Sequence, residues 1–191
     1  MKRRIALIDG HPDADRARFV HALADRYAEG ARGGGGEVRR IDLATLDFPL
    51  LRSRGQWEGA PPAMIAEAQK TIAWADHIVL LYPLWLGDVP ALLKAFLEQT
   101  LRPGFAFDKG KGPFAGLLRG KSARIVVTMG MPALFYRFYY GAHSVASLRL
   151  NVLGLVGVGP VRRTLIGGVE SSAAGRGRWL KTMAELGRKA R

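Results

Sequence analysis

The chain has 191 residues, no cysteine and a formal net charge of +13 at pH 7. This length suits a single domain, residues 1–191, with a sizeable core, and the lack of thiols excludes disulfides, iron–sulfur clusters and cysteine nucleophiles. The charge is compatible with nucleic-acid binding, but the arginines are spread along the chain without the aromatic clustering of a nucleic-acid module, so we expect no specific nucleic-acid binding.

The first predicted strand, Arg4–Asp9, follows a basic amino terminus. Asp9 interrupts its apolar run too early for a signal peptide, and no run of about 20 apolar residues is present that could span a bilayer. We therefore expect a cytoplasmic protein without a transmembrane segment. Helical spacing of apolar residues predicts a helix from about Arg16 to Glu29, and glycines 33–36 end it as a flexible connector rather than a phosphate loop.

The rest of the chain alternates between strand and helix patterns, which is typical of a parallel sheet with crossover helices. The predicted segments are a strand at Val38–Leu43, an irregular loop at Pro49–Pro62, a helix at Ala63–Trp74, a strand at His77–Tyr82, a helix at Pro90–Leu101, a surface excursion at Gly104–Gly120, a strand at Arg124–Thr128, a helix at Ser144–Leu155, a strand at Val161–Ile166 and a helix at Ser171–Arg188. About five parallel strands with helices on both faces predict a doubly wound α/β fold with the flavodoxin-like order 2-1-3-4-5.

The most informative segment is the strand His77–Tyr82 and the loop after it. The strand is a nearly continuous apolar run, as expected of a central parallel strand covered on both faces. Ligands bind such sheets at the carboxyl ends of the strands. The loop found there is aromatic and proline-rich and predicts a binding site for a flat conjugated ring. The residues of this loop are Pro83, Leu84, Trp85 and Leu86.

The predicted strand order places the switch point between the first and third strands, so His11 and Pro12 should lie beside that loop. The start of the helix near Arg16 then offers unpaired N–H groups and a positive dipole, which suit a phosphate group. His11 either contacts this phosphate or a ribose, or caps the turn. We interpret His21 as a surface residue without a carboxylate partner, and we expect no metal site.

Four segments, in matching order, resemble the flavodoxin-like NAD(P)H:quinone oxidoreductases, a group that includes modulator of drug activity B and ancillary flavoproteins of potassium efflux. The matching segments are Ile5–Pro12 with its His-Pro turn, Pro83–Trp85 followed by Pro90–Lys94, Gly104–Phe107, and Thr128–Pro132 with Tyr136. The resemblance implies a flavin, FMN or FAD, with NAD(P)H as cosubstrate. It also implies two-electron reduction of a quinone or a similar aromatic acceptor in a ping-pong cycle.

The resemblance assigns further residues to the flavin site. Where the family has a hydroxyl followed by Phe-Asn, this chain keeps Phe19 as the hydrophobic contact, and Arg16 or Arg18 replaces the hydroxyl as donor. The second flavin-facing loop comprises Thr128, Met129, Gly130 and Met131. The ring's polar edge is expected to accept hydrogen bonds from the backbone amides of Trp85, Leu86, Gly130 and Met131.

Tyr136 and His143 follow the second flavin-facing loop and are the candidates for contacting substrate or assisting proton transfer. A core position for Tyr136 and an exposed surface position for His143 are the alternatives. The resemblance also implies a homodimer with each flavin at the subunit interface. Gly104–Phe107 and the aromatic run Phe135–Tyr140 are the expected contact surface, although the run is equally compatible with a lid over the site.

Two other functions compete with the quinone reductase. One is an ancillary flavoprotein that regulates a membrane transporter of the potassium-efflux type, because the basic surface suits an anionic membrane face or an acidic partner. The other is an electron-carrier flavodoxin, which the His11-Pro12 turn and the charge of +13 disfavour.

Overall fold

The computed structural model describes residues 2–108 and 115–190. Five parallel strands form one sheet in the order β2-β1-β3-β4-β5, so the predicted α/β topology is confirmed. The strands are β1 (Arg4–Asp9), β2 (Glu37–Asp42), β3 (His77–Pro83), β4 (Ser122–Thr128) and β5 (Val161–Ile166).

Helices cover both faces of this sheet. In residues 2–108 and 115–190 they are α1 (Phe19–Gly33), α2 (Arg54–Glu58), α3 (Ala63–Trp74), α4 (Ala91–Thr100), α5 (Ala133–Phe138), α6 (His143–Ser147) and α7 (Ala173–Arg188). A π-helical segment, Leu148–Gly154, continues α6. In this described part of the chain no helix is both long and apolar enough to cross a membrane.

The central strands are buried on both sides, which explains their nearly continuous apolar sequences. Alternate residues of β3 enter two different cores, because successive side chains of a strand point to opposite faces. Leu80 packs in the core shared with α3 and α4, whereas Val79 and Leu81 pack in the core shared with α1 and α7. The sheet therefore holds the carboxyl ends of β1, β3 and β4 rigidly side by side.

Helices α1 and α7 pack closely because each has a glycine at the contact. A Cβ atom on Gly30 would lie 1.9 Å from the carbonyl oxygen of Ala184, and one on Gly187 would lie 2.1 Å from that of Tyr27. Real side chains cannot approach a carbonyl oxygen so closely. Any larger residue would therefore push the two helices apart.

Helix α1 begins at Phe19, three residues later than predicted, and continues to Gly33. The residues before it form turns in which carboxylates accept backbone N–H groups. Asp13 Oδ1 accepts from the amide of Asp15 at 2.9 Å, and Asp15 Oδ1 accepts from that of Ala17 at 3.0 Å. Aspartate side chains thus offer the backbone an alternative to the helix, and the apolar periodicity could not reveal this competition.

Two short helices lie where none was predicted. Helix α2 occupies part of the predicted irregular loop at Pro49–Pro62, and the Ser53 hydroxyl caps it by accepting the N–H of Gln56 at 3.2 Å. Helix α5 has only one buried side chain, that of Tyr136, so it shows no apolar periodicity. The predicted helix Ser144–Leu155 is divided into α6 and the π-helical segment, and the predicted excursion Gly104–Gly120 lies partly outside the described residues.

Candidate functional site

The turn after β1 and the loop after β3 meet at the carboxyl edge of the sheet, as the strand order predicts. The rings of His11 and Trp85 are almost perpendicular, with their centroids 6.1 Å apart. His11 is buried, and this burial is the main reason why its pKa is lowered. Its Nδ1 accepts the N–H of Asp13 at 3.1 Å, so the ring caps the turn, the second of the two roles expected for it.

A cavity of 390 Å³ opens between the β3–α4 loop (residues 84–90) and the β4–α5 loop (residues 129–132). Its lining residues are Leu84, Leu86, Gly87, Met129, Gly130, Met131, Tyr136 and Tyr140. Six of these eight residues were expected at the site. Gly87 was not, and Tyr140 was assigned only to the lid or the dimer surface. Pro83 and Thr128 end their strands and do not line this cavity.

Three backbone amides on this cavity are available for a ligand. Those of Leu86, Gly130 and Met131 have no protein acceptor within residues 2–108 and 115–190. The fourth expected donor is engaged, because the amide of Trp85 donates to the carbonyl oxygen of Asp88 at 3.0 Å. The expectation that Trp85 donates its amide to the ring is therefore wrong.

Leu86 has an unusual backbone at this cavity. Its φ of 48° lies in the left-handed region, which costs energy for a residue other than glycine. Its side chain is fully exposed, so burial does not offset that cost. In this strained conformation Leu86 forms part of the cavity wall, and backbone strain of this kind is concentrated at binding sites.

The amino terminus of α1 forms the other end of the candidate site. The amides of Phe19 and Val20 make no hydrogen bond to described parts of the chain, no side chain caps the helix, and its first turn has no acidic residue. Such an end attracts anions through its N–H groups and its dipole. Phe19 packs against the core shared by α1 and α7, and its expected contact with a flavin stays a prediction.

Both arginines expected at this end are half exposed and engaged with carboxylates. Arg18 Nε lies 2.8 Å from Asp13 Oδ2, a carboxylate in the same turn. Arg16 instead lies 3.0 Å from Asp25 on α1 and 3.0 Å from Asp42 on β2. Arg18 immediately precedes the unpaired amides of α1, whereas Arg16 is directed toward β2.

A buried charged cluster lies under this turn. Asp9 and His21 are completely buried, and His21 Nδ1 lies 2.6 Å from Asp9 Oδ2. The interpretation of His21 as a surface residue without a carboxylate partner is therefore wrong. Ligand-type atoms of Asp9, His21 and Asp42 lie within 4.8 Å of one another. Arg40 bonds to Asp9 and lies 3.8 Å from Asp42, so a guanidinium cation lies beside these carboxylates.

The two candidate catalytic side chains are placed differently. Tyr136 is buried but lines the cavity, and its hydroxyl lies 2.6 Å from Oγ of buried Ser144. His143 is exposed at the start of α6 and does not line the cavity. Sequence reasoning missed Ser144, because a serine one residue after His143 carries no signal of a buried partner eight residues earlier.

A second cavity of 440 Å³ adjoins the first, and Leu86 lines both. Its walls come from the β3–α4 loop, α4, α6 and the π-helical segment, and they include Trp85, Lys94 and Ser144. The hydrogen bond between Tyr136 and Ser144 thus connects the two cavities. This arrangement leaves room for an elongated ligand along the carboxyl edge of the sheet.

Comparison with known proteins gives a match over nearly the whole chain. A family model described as flavodoxin-like fold matches residues 3–186. A Haemophilus influenzae protein named uncharacterized NAD(P)H oxidoreductase is 33% identical over 128 residues, which are 65% of this chain and 63% of that protein. A Ruegeria pomeroyi protein named FMN-dependent NADH:quinone oxidoreductase is 30% identical over 129 residues, 58% of this chain and 63% of that protein. The chain thus spans less than two thirds of the length of these relatives.

Solved structures share the same architecture. The structure of an NAD(P)H:quinone oxidoreductase from Methanothermobacter marburgensis superposes with a TM-score of 0.80 and 22% sequence identity, covering 100% of this chain and 98% of that one. At this identity the likeness concerns the fold.

Proposed function

This chain belongs to the flavodoxin-like fold family, and we propose that it is a flavin-dependent oxidoreductase that transfers two electrons from NAD(P)H to a quinone or a similar aromatic acceptor. The observation that carries this proposal is the donor set at the switch point of the sheet. Amides that have no acceptor among the described residues occur at both ends of the site, at Phe19 and Val20 on α1 and at Leu86, Gly130 and Met131 on the cavity.

These donors fit a flavin mononucleotide. The two amides at the start of α1 suit a single terminal phosphate, and the three on the cavity suit the carbonyl groups and ring nitrogen at the polar edge of a flavin. The name of the Ruegeria pomeroyi relative, an FMN-dependent enzyme, agrees with this choice. We therefore propose FMN rather than FAD as the cofactor.

A bound flavin would supply the hydride chemistry between NAD(P)H and the acceptor. The protein itself would bind the flavin, orient the two substrates and exclude water. The amides of Leu86, Gly130 and Met131 would stabilise negative charge at the ring's polar edge, and Leu84 and Met129 form an apolar wall of the cavity. Because the same open side must admit NAD(P)H and the acceptor in turn, a ping-pong cycle follows.

The aromatic run Phe135–Tyr140 supports the proposed homodimer. Phe135 and Tyr139 stack with centroids 4.8 Å apart, and Tyr140 meets both edge-on. Phe138 and Tyr139 are 74% and 73% exposed, and clustered exposed apolar side chains of this kind mark protein–protein contact surfaces. Since Tyr140 also lines the cavity, a partner subunit seated on this run would help to enclose the site.

Flavin binding and quinone reduction test the proposal directly. The purified protein is loaded with FMN or with FAD and passed through gel filtration, and its absorption spectrum is recorded. We expect FMN to be retained and NADH or NADPH to be oxidised only when a water-soluble naphthoquinone is present, with parallel double-reciprocal plots. Retention of neither flavin would overturn the proposal, and intersecting plots would remove the ping-pong cycle.

The charge distribution favours one alternative, an ancillary flavoprotein at a membrane transporter. Acidic and basic residues balance up to residue 108, so residues 109–191 carry the whole charge of +13, with Glu170 and Glu185 as their only acidic residues. Arg162 and Arg163 are exposed on the edge strand β5. Sedimentation with vesicles that contain anionic lipid, compared with neutral vesicles, tests whether this charge serves a membrane contact.

A further inference from the structure

One buried histidine connects β1, the β1–α1 loop (residues 10–18) and α1. His21 is the third residue of α1, and its side chain is completely inaccessible to solvent. Its Nδ1 lies 2.6 Å from Asp9 Oδ2 at the end of β1, and its Nε2 lies 2.8 Å from the carbonyl oxygen of Asp13 in the loop. Buried polar groups that are paired on both sides fix the surrounding backbone.

The two acceptors determine the protonation of the ring. A carbonyl oxygen can only accept, so Nε2 must carry a proton to bond with Asp13. Asp9 Oδ2 already accepts a hydrogen bond from Arg40, which favours its carboxylate form. Nδ1 must then donate to it as well. Donation from both nitrogens to these two acceptors requires the imidazolium form of His21.

His21 and its partner Asp9 together hold the loop at several points. Asp9 Oδ1, on the carboxylate that His21 holds, accepts the amide of His11 at 3.3 Å. The imidazolium itself holds the carbonyl of Asp13, and the backbone amide of His21 donates to the carbonyl of Arg18 at 3.1 Å. Hydrogen bonds thus fix the loop at its start, its middle and its end. The end of the loop directly precedes the amides of Phe19 and Val20.

We propose that His21 is a positioning residue for the phosphate end of the site, an inference that rests on the proposed flavin function. The charge of the His21 ring adds to the dipole of α1 at the phosphate end of the site. Because the ring is buried, this charge is screened less than a surface charge. The charged and titratable groups around the ring are Asp9 on β1, Arg40 and Asp42 on β2, His11 and Asp13 in the loop, and Asp25 on α1.

The test compares FMN with riboflavin, which lacks the phosphate. Dissociation constants of both are measured by fluorescence quenching for the wild type, His21→Gln and His21→Asn. Gln can keep the contact to Asp13 and Asn the contact to Asp9, but neither carries the charge. We expect each variant to lose about 10-fold or more of the preference for FMN, as for a charged hydrogen bond, with riboflavin affinity unchanged within about twofold.

His77→Gln is the matched control. His77 is also buried and bonds through Nδ1 to the Ser122 hydroxyl at 2.8 Å, but it lies at the opposite end of the sheet. This variant should lower Tm and leave the preference for FMN intact. If the His21 variants behave in the same way, the inference is overturned and the proposed function stands. If the wild type binds neither flavin, the proposed function itself fails.

A second measurement does not depend on variants that fold. Nitrogen-15 NMR of the imidazole rings reports the protonation of each ring nitrogen. At pH 7 we expect both nitrogens of His21 to be protonated in the flavin-free protein. A neutral tautomer would overturn the inference, whatever the flavin affinities are.

Discussion

Replacing Tyr136 with phenylalanine tests what the contact between Tyr136 and Ser144 contributes. The two oxygens are 2.6 Å apart and both residues are buried. Without the phenol the Ser144 hydroxyl loses this hydrogen bond, and removing the partner of a buried hydroxyl costs about 1–3 kcal/mol. In a chain of this size each kcal/mol shifts Tm by about 2–4 °C, so we expect Tm to fall by about 2–12 °C.

A double-mutant cycle isolates the hydrogen bond from other effects. Ser144→Ala alone should cost a similar amount, because it leaves the Tyr136 hydroxyl buried and unpaired. The double variant removes both partners and should be less destabilised than the sum of the single variants, by about 1–2 kcal/mol. Tyr140→Phe is the matched control, since Tyr140 lines the same cavity but is half exposed.

Because Tyr136 lines the cavity, Tyr136→Phe should also have a second, separate effect on turnover. If the Tyr136 hydroxyl contributes about 1.4 kcal/mol to the reaction, Tyr136→Phe should lower turnover about tenfold while the flavin is retained. Urea denaturation measures the stability, and stopped-flow absorbance measures flavin reduction and reoxidation. Additive single-variant losses would refute the hydrogen-bond reasoning, and unchanged rates in both half-reactions would remove Tyr136 from the site.

Three further predictions concern other parts of the molecule. Arg18→Gln should weaken FMN binding about 10- to 150-fold, because the exposed ion pair with Asp13 contributes much less free energy than a contact with a phosphate. Arg16→Gln should change FMN binding little, and equal effects of the two variants in fluorescence titrations would contradict this prediction. Gly187→Ala should lower the free energy of unfolding by about 1–3 kcal/mol because it separates α1 from α7, and an unchanged urea midpoint would refute the packing argument. Burial lowers the pKa of His77 to about 4, below the unfolded value of about 6.5. The unfolded chain therefore binds this proton first, and stability should fall as pH drops from about 6.5 toward 4; His77→Gln should flatten that part of a pH series of urea denaturations.

Patterns in the sequence predicted the order of the sheet and the meeting of two loops at its carboxyl edge. The strand His77–Tyr82 is buried on both faces, so it is apolar along its whole length. Parallel strands bring their carboxyl ends to one edge. The loops after β3 and β4 therefore had to meet, and the 390 Å³ cavity lies between them.

The tertiary structure alone decided which groups are paired. His21 and Arg26 lie on the same helix and both look like surface residues in the sequence, but His21 is buried against Asp9 while Arg26 is half exposed. The Tyr136–Ser144 bond was equally hidden, because it depends on the exact turn between α5 and α6. Apolar periodicity reports which side of an element is buried, whereas a hydrogen bond depends on distances of a few tenths of an ångström between residues that the fold brings together.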